Sequence, residues 1–331
     1  MGAGIDATQD AEIDAAVRRL EAGELVAIPT ETVYGLAADA ANDAAVRRIY
    51  AVKGRPADHP VIVHLARGAD LLRWAAEVPP AAQTLIDAFW PGPLTLVLRR
   101  RAGVAQACAA GQDTIALRCP AHPLAQAVLA RLHGGRGGLA APSANRFGRI
   151  SPTRAADVRA ELGDAVAQVL DGGPCAVGIE STIVDCSSGT PRILRPGGLS
   201  AAQLAAVLGI EAAALQPPPA ADAPRVPGAL AAHYAPATAL RLRDAAAIDA
   251  DWQQARDVGV LAPRAAPAAS ARSHWQALAA DAAGYAQGLY AALRELDARG
   301  LREIWVESPP PGAEWDAVRD RLRRAAHGAG R

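Results

Sequence analysis

Leu25-Val26-Ala27-Ile28-Pro29-Thr30-Glu31-Thr32-Val33-Tyr34-Gly35-Leu36 is an apolar run that ends abruptly in a polar turn. The run is too short for a helix and follows a glycine stop at Gly23, so residues 25–29 predict a short strand. Ligands collect at strand ends in open α/β sheets, which makes Thr32 a candidate contact. The same threonines also suit a plain capped turn.

Reading outward, residues 10–23 form a helical pattern with Asp10 as cap and Ile13, Val17 and Leu20 on one face. Further helices are expected at 43–52, 69–76, 80–89, 153–162 and 200–208. Strands are expected at 61–65, 94–98, 115–118, 138–141, 166–170, 182–185 and 192–194. Strands and helices mix without strict β-α-β alternation, which predicts an α/β fold with a twisted mixed sheet. Residues 212–236 break the composition with Pro217-Pro218-Pro219, Pro224, Pro227 and Pro236, as a semi-rigid linker with little core of its own would. Beyond it, strands at 239–242, 258–261 and 303–307 alternate with helices near 281–298 and 313–326. They predict a small, separate α/β unit. The expected division is therefore 1–210, a linker at 211–237, and 238–331.

Lys+Arg and Asp+Glu both number 34 in 331 residues, and aromatic residues are 4%. A balanced charge with few rings argues against tight nucleic-acid binding. The four cysteines make no CxxC pair and have no zinc-finger spacing to histidine, so no metal site is expected. The N-terminal segment lacks the apolar core of a signal peptide, and no long apolar stretch is free of charge or proline; a cytoplasmic protein without a membrane span is expected.

Lys53 is the one lysine in a chain whose other 33 cationic side chains are arginine. A lysine surviving such a bias suggests a compact ammonium placed where a guanidinium fork does not fit; a stray surface lysine is the alternative. With Arg55, two residues on in a Gly/Pro turn, it forms a cationic corner suited to phosphate oxygens. His64 lies in an apolar strand, where a buried core histidine is the commoner outcome. Thr114, Ala116 and Arg118 share one face of a strand, and Arg118 at its end suits either a carboxylate ligand or an ordinary ion pair. Ala141-Pro142-Ser143-Ala144-Asn145 follows another strand, and Ser151-Pro152-Thr153 opens a helix either as an anion site or as a plain N-cap. Gly134-Gly135-Arg136-Gly137-Gly138 lacks P-loop spacing and leads into a strand, so it reads as a turn.

Seven blocks stand in order between residues 25 and 198: PTETVYGL, KGRP with its trailing histidine, FWPGPLT, LRCPAHP, APSAN, SPT, and GIESTIVD followed by RPG. Together they resemble the YrdC-type threonylcarbamoyl-AMP synthase family. The linker ending in His233-Tyr234-Ala235-Pro236, with the unit after it, resembles the long form of that family. The resemblance implies a YrdC-like sheet with helices around a cationic cavity and a small Rossmann-like C-terminal domain. It implies that Thr32, His64, Arg118, Ala141 and Ser181 bind threonine, with Ala141 contributing through its backbone. Lys53 and Arg55 are implied as catalytic and nucleotide-binding, joined on the ATP side by His59, Thr114, Ser143, Asn145, Ser151, Arg195 and Tyr234. His59 stands where the family commonly has asparagine. The linker lacks the basic residues that usually precede His-Tyr-Ala-Pro, so looser closure, or closure on Tyr234 alone, is expected.

The implied activity joins L-threonine, bicarbonate and ATP into L-threonylcarbamoyladenylate and pyrophosphate for a tRNA modification, with Mg²⁺ arriving on ATP and a downstream tRNA threonylcarbamoyl transferase complex as recipient. The competing class is an RNA-binding or translation-associated module without catalysis.

Overall fold

The computed structural model describes residues 6–217, 223–268, 270 and 272–330; Pro218 and Pro219 lie outside these. Nine strands form one sheet: β1 (Val26–Ile28), β2 (Gly35–Asp39), β3 (Val63–Leu65), β4 (Leu94–Arg99), β5 (Thr114–Arg118), β6 (Gly138–Ala140), β7 (Gln168–Val169), β8 (Thr182–Asp185) and β9 (Arg192–Arg195). Their order is β7-β1-β2-β6-β3-β5-β4-β8-β9. β1/β7, β3/β5 and β4/β8 pair parallel, and the other neighbours pair antiparallel. The sheet is mixed, as the broken alternation predicts.

Its helices are α1 (Ala7–Glu21), α2 (Asp43–Lys53), α3 (Pro80–Phe89), α4 (Gln106–Ala109), α5 (Pro123–Arg131), α6 (Ala155–Leu162) and α7 (Ala201–Leu208). Two start signals differ from expectation. α1 begins earlier, because Asp6 and Gln9 form a reciprocal capping box that outcompetes Asp10. α6 starts at Ala155 behind Arg154, so Ser151 is no N-cap and its hydroxyl is engaged elsewhere.

Residues 223–236 do more than bridge. Val226 is buried with Ile62, Val97, Ala116 and Ile183, and Tyr234 is 1% exposed. The C-terminal unit has four strands, β10 (Ala239–Arg243), β11 (Val258–Ala262), β12 (His274–Ala277) and β13 (Glu303–Glu307), all parallel in the order β10-β13-β11-β12. Helices α8 (Ala245–Trp252), α9 (Ala282–Asp297) and α10 (Asp316–Gly328) complete it. The C-terminal α/β unit has its own sheet, and it packs against the first unit. Tyr285, Leu289 and Tyr290 of α9 share one apolar cluster with Val33, Ile150 and Ile179 of the first unit and with Tyr234. Apolar residues on both sides of the junction lose their water only when the two units touch, which favours the closed arrangement.

Candidate active site

The 25–36 stretch forms the core of the site. β1 and β2 are antiparallel neighbours, and Thr30–Tyr34 is the loop that joins them. Thr30 Oγ1 donates to the Val33 carbonyl at 2.6 Å and lies 2.9 Å from Thr32 Oγ1, folding the loop on itself. Across the loop, Tyr34 exchanges backbone bonds with Pro152 and Ala144, and Leu36 N–H donates to Pro142. Gly35 permits this closeness, since a Cβ there would lie 3.2 Å from the Ala141 methyl. The TETVYG, APSAN and SPT blocks therefore converge although more than a hundred residues separate the first from the others.

A cavity sits where these loops meet the ends of β3, β5 and β8. Thr32, Arg55, His64, Arg118, Ala141, Ser143, Ser181, Arg195 and Tyr234 line it, together with Glu180, His233, Pro227 and Gly228. With the linker seated, it encloses about 50 Å³. That is room for a water or two, against the several hundred Å³ of an ordinary ligand pocket.

Of the other residues expected in the site, Lys53, Asn145 and Ser151 stand just behind the lining. Lys53 closes α2, 3% exposed, and its ammonium donates to the carbonyls of Ser143 and Asn145, both at 2.5 Å. Asn145 Nδ2 donates to the carbonyls of Arg146 and Arg149, and Ser151 Oγ donates to Glu180. His59 lines a different pocket of about 410 Å³ with Arg192, Arg225, Val226 and Leu230. Thr114, at the far end of β5 from Arg118, borders neither cavity.

The site is strongly cationic although the chain is neutral. Arg118 Nη2 donates to Glu31 at 2.6 Å, and Arg195 donates through Nη2 to the Ser181 carbonyl at 2.8 Å. Arg55 Nη2 donates to the Pro60 carbonyl at 2.8 Å and its guanidinium lies over the Phe147 ring. Burial, reinforced by Arg55, pulls the Lys53 ammonium down to about 7. Burial and then Arg118 hold the His64 imidazole near 3, so it is neutral at any working pH. Such depressed cations stand to gain from a bound anion.

Among the described residues, ten buried side-chain nitrogen or oxygen atoms have no protein partner; four lie on Asp157, Gln168, Tyr285 and Arg294, and the other six are Arg55 Nε, His64 Nδ1, Asn145 Oδ1, His233 Nδ1, Tyr234 Oη and Arg321 Nη2. These six belong to residues in or against this cavity. Buried polar groups are nearly always satisfied, so their clustering marks a polar ligand site.

The family model described as telomere recombination, for Sua5, YciO and YrdC, matches residues 18–197. The model of the threonylcarbamoyl-AMP synthase C-terminal domain matches residues 199–327. The chain belongs to the Sua5/YrdC family. It is 38% identical over 330 residues to the threonylcarbamoyl-AMP synthase of Bacillus subtilis, covering 97% of this chain and 94% of the relative. It is 36% identical over 315 residues to that of Pyrococcus abyssi, covering 92% and 91%. The crystal structure of P. abyssi Sua5 complexed with L-threonine matches at TM-score 0.83 and 35% identity, over 96% of this chain and 94% of that one. These relatives do not favour the RNA-binding alternative.

As a Sua5/YrdC member the chain holds several site residues that the sequence does not announce. Glu31 anchors Arg118, and its second oxygen accepts from Ala121 N–H at 3.0 Å. Glu180 lines the cavity, and Tyr290 and Arg321 reach it from the C-terminal unit. The linker itself is held from both units. Arg195 Nη1 donates to the Pro227 carbonyl at 3.0 Å, and Arg324 Nη1 of α10 donates to the carbonyls of Ala229 and Leu230. Tyr234 stacks on Tyr290, with ring centroids 5.8 Å apart, and His233 lies edge-on to it. Arg324 and Arg321 of α10 thus bring cations to the linker, at its carbonyls and at the Tyr234 ring.

Proposed function

We propose that this chain is a nucleotidyltransferase that converts L-threonine, bicarbonate and ATP into L-threonylcarbamoyladenylate and pyrophosphate, supplying a tRNA-modifying transferase complex in the cytoplasm. The observation that carries this reading is the convergence of Arg55, Arg118 and Arg195 on one small cavity whose remaining walls offer Thr32, His64, Ser143 and Ser181. All three substrates are anions or carry a carboxylate. A solved relative at 35% identity holds L-threonine.

In this reading Arg118, held by Glu31, receives the threonine carboxylate, and Thr32, neutral His64 and Ser181 surround the rest of the amino acid. The threonine amine adds to the carbon of bicarbonate with loss of water, giving an N-carboxylate. That carboxylate attacks the α-phosphorus of ATP, a new P–O bond forms, and the bond to the β-phosphate oxygen breaks to release pyrophosphate. No side chain need become covalently attached. The enzyme's task is to hold two anions in line while Lys53, Arg55 and Arg195 take up the charge. Lys53 also fixes the Ser143 and Asn145 loop, so its loss displaces both the charge and the wall.

Mg²⁺ fits as a passenger on the phosphates. Among the described residues no three His, Cys, Asp or Glu side chains are grouped so as to hold a metal ion, so a protein-made cage has no donor set here. ATP entry requires the Pro227–Tyr234 segment to shift, because the seated linker leaves too little space.

The test is pyrophosphate release by the purified protein with ATP, Mg²⁺ and bicarbonate, with and without threonine. Release that needs both threonine and bicarbonate supports the reading. Release independent of threonine, or none from folded protein, sinks it.

A further inference from the structure

Glu180 is a buried carboxylate at the cavity wall that is tied to three donors. Ser151 Oγ donates to Oε1 at 2.6 Å, while Tyr290 Oη and Arg321 Nε donate to Oε2 at 2.9 and 2.8 Å. The last two come from the C-terminal unit, 110 and 141 residues further along the chain. Arg321 is fully buried, with Nη1 on Asp320 at 2.8 Å and its guanidinium 5.1 Å from the Tyr234 ring centroid. Tyr290 also stacks on Tyr234, nearly parallel to it at 24°. The same two residues therefore grip both Glu180 and the linker tyrosine.

A serine hydroxyl has one proton to give. In this structure Ser151 gives it to Glu180, so a phosphate oxygen arriving at Ser151 would meet lone pairs. For Ser151 to serve ATP, its proton must turn from Glu180 to the phosphate. How readily it turns depends on how much of the carboxylate's charge other donors already occupy. Burial works to raise the Glu180 carboxyl, but Arg321 and Arg195 outweigh it and hold the group down to about 2, so it stays ionised and a strong acceptor. With Tyr290 and Arg321 both on Oε2, the pull on the Ser151 proton at Oε1 is relieved.

We propose that Tyr290 and Arg321 are positioning residues of the active site, which engage Glu180 so that the Ser151 proton is available to the phosphates of ATP. This rests on the reading above that ATP occupies this cavity. It makes the C-terminal unit a contributor of side chains to the nucleotide site.

The test is a double-mutant cycle on binding of α,β-methylene-ATP with Mg²⁺, read by calorimetry for the full chain, Tyr290→Phe, Ser151→Ala and the double variant. Tyr290→Phe keeps the ring that stacks on Tyr234 and removes one hydrogen bond. It is expected to weaken the analogue about three- to tenfold, on the scale of one ordinary hydrogen bond, with threonine affinity unchanged. In the Ser151→Ala background the same change is expected to have no further effect. Arg321→Lys keeps the charge but not the fork, and is expected to behave like Tyr290→Phe. Equal losses in both backgrounds, or unchanged affinity in Tyr290→Phe and Arg321→Lys with unaltered melting temperatures, overturn the proposal. A wild-type protein that binds no analogue overturns this inference and the proposed function together. A non-additive cycle in a protein without threonine-dependent pyrophosphate release supports the inference and overturns the synthase chemistry alone.

Discussion

Lys53, the last residue of α2, clamps Asn145 by donating to its backbone carbonyl at 2.5 Å, and the same ammonium holds Ser143. One side chain thus combines a positive charge with the fixation of the APSAN loop. Lys53→Ala is expected to lower turnover on the order of a hundredfold or more, the scale at which a preorganised electrostatic group is lost. Lys53→Arg is not expected to restore it, because a planar guanidinium cannot fill a 3% exposed ammonium site capped by two carbonyls. Steady-state kinetics on both variants checks this, and an active arginine variant would show that charge alone suffices.

The same burial fixes a pH dependence. In the free protein the Lys53 ammonium sits near 7, lowered by burial and then by Arg55. A bound phosphate favours the charged form, so binding is strongest when Lys53 is protonated and weakens as pH rises through that value. His64 and His233 are both near 3, held there first by burial, and contribute nothing to a change above pH 7. Affinity for α,β-methylene-ATP is expected to fall between pH 7 and pH 9, by at most about tenfold per pH unit for a single proton. Calorimetric titration across that range checks it, and Lys53→Ala is expected to flatten the profile.

The first strand, the mixed character of the sheet and the cationic corner at Lys53 are legible because each is a local pattern. β2 is not, since Gly35-Leu36-Ala37-Ala38-Asp39 carries no β-branched residue to signal a strand. Position behind the wall is equally invisible: Lys53 and Ser151 read as direct contacts, but both turn toward protein partners in the folded chain. Arg321 sits in Arg319-Asp320-Arg321-Leu322-Arg323-Arg324, where every arginine looks alike. Only the long-range meeting with Glu180 singles it out. The one available signal was Glu180 itself, an acid inside a block otherwise read for its serine and threonine.

Arg118 and Glu31 form a pair whose side chains are 4% and 11% exposed. Removing one partner of such a pair leaves an uncompensated buried charge. Arg118→Ala is therefore expected to cost about 3–5 kcal/mol of stability, read from the urea midpoint, and to raise the threonine KM strongly. Glu31→Gln keeps an oxygen acceptor for the guanidinium and removes its competing negative charge. It is expected to bind threonine at least as well as the unaltered protein. Weaker threonine binding in Glu31→Gln than in Arg118→Ala would show that Glu31, not Arg118, meets the substrate.

The junction between the two units yields the last prediction. Gly178, two residues before Glu180, has φ +78°, and a Cβ there would lie 2.4 Å from Gln287 Cα and 2.5 Å from the Gln287 carbonyl oxygen. That gap lets the backbone of α9 come close, and Tyr290 stands one helical turn beyond Gln287 on the same side. Gly178→Ala must push α9 outward and also strains the left-handed backbone, at a cost of roughly 1–3 kcal/mol. Each unit keeps its own sheet, so circular dichroism is expected to stay unchanged. The outward shift takes Tyr290 away from Glu180 and Tyr234 together, and turnover is expected to fall at least about tenfold as lost positioning is propagated to the site. A Gly178→Ala protein with full turnover would mean that the C-terminal unit need not be seated against the first for the chemistry to proceed.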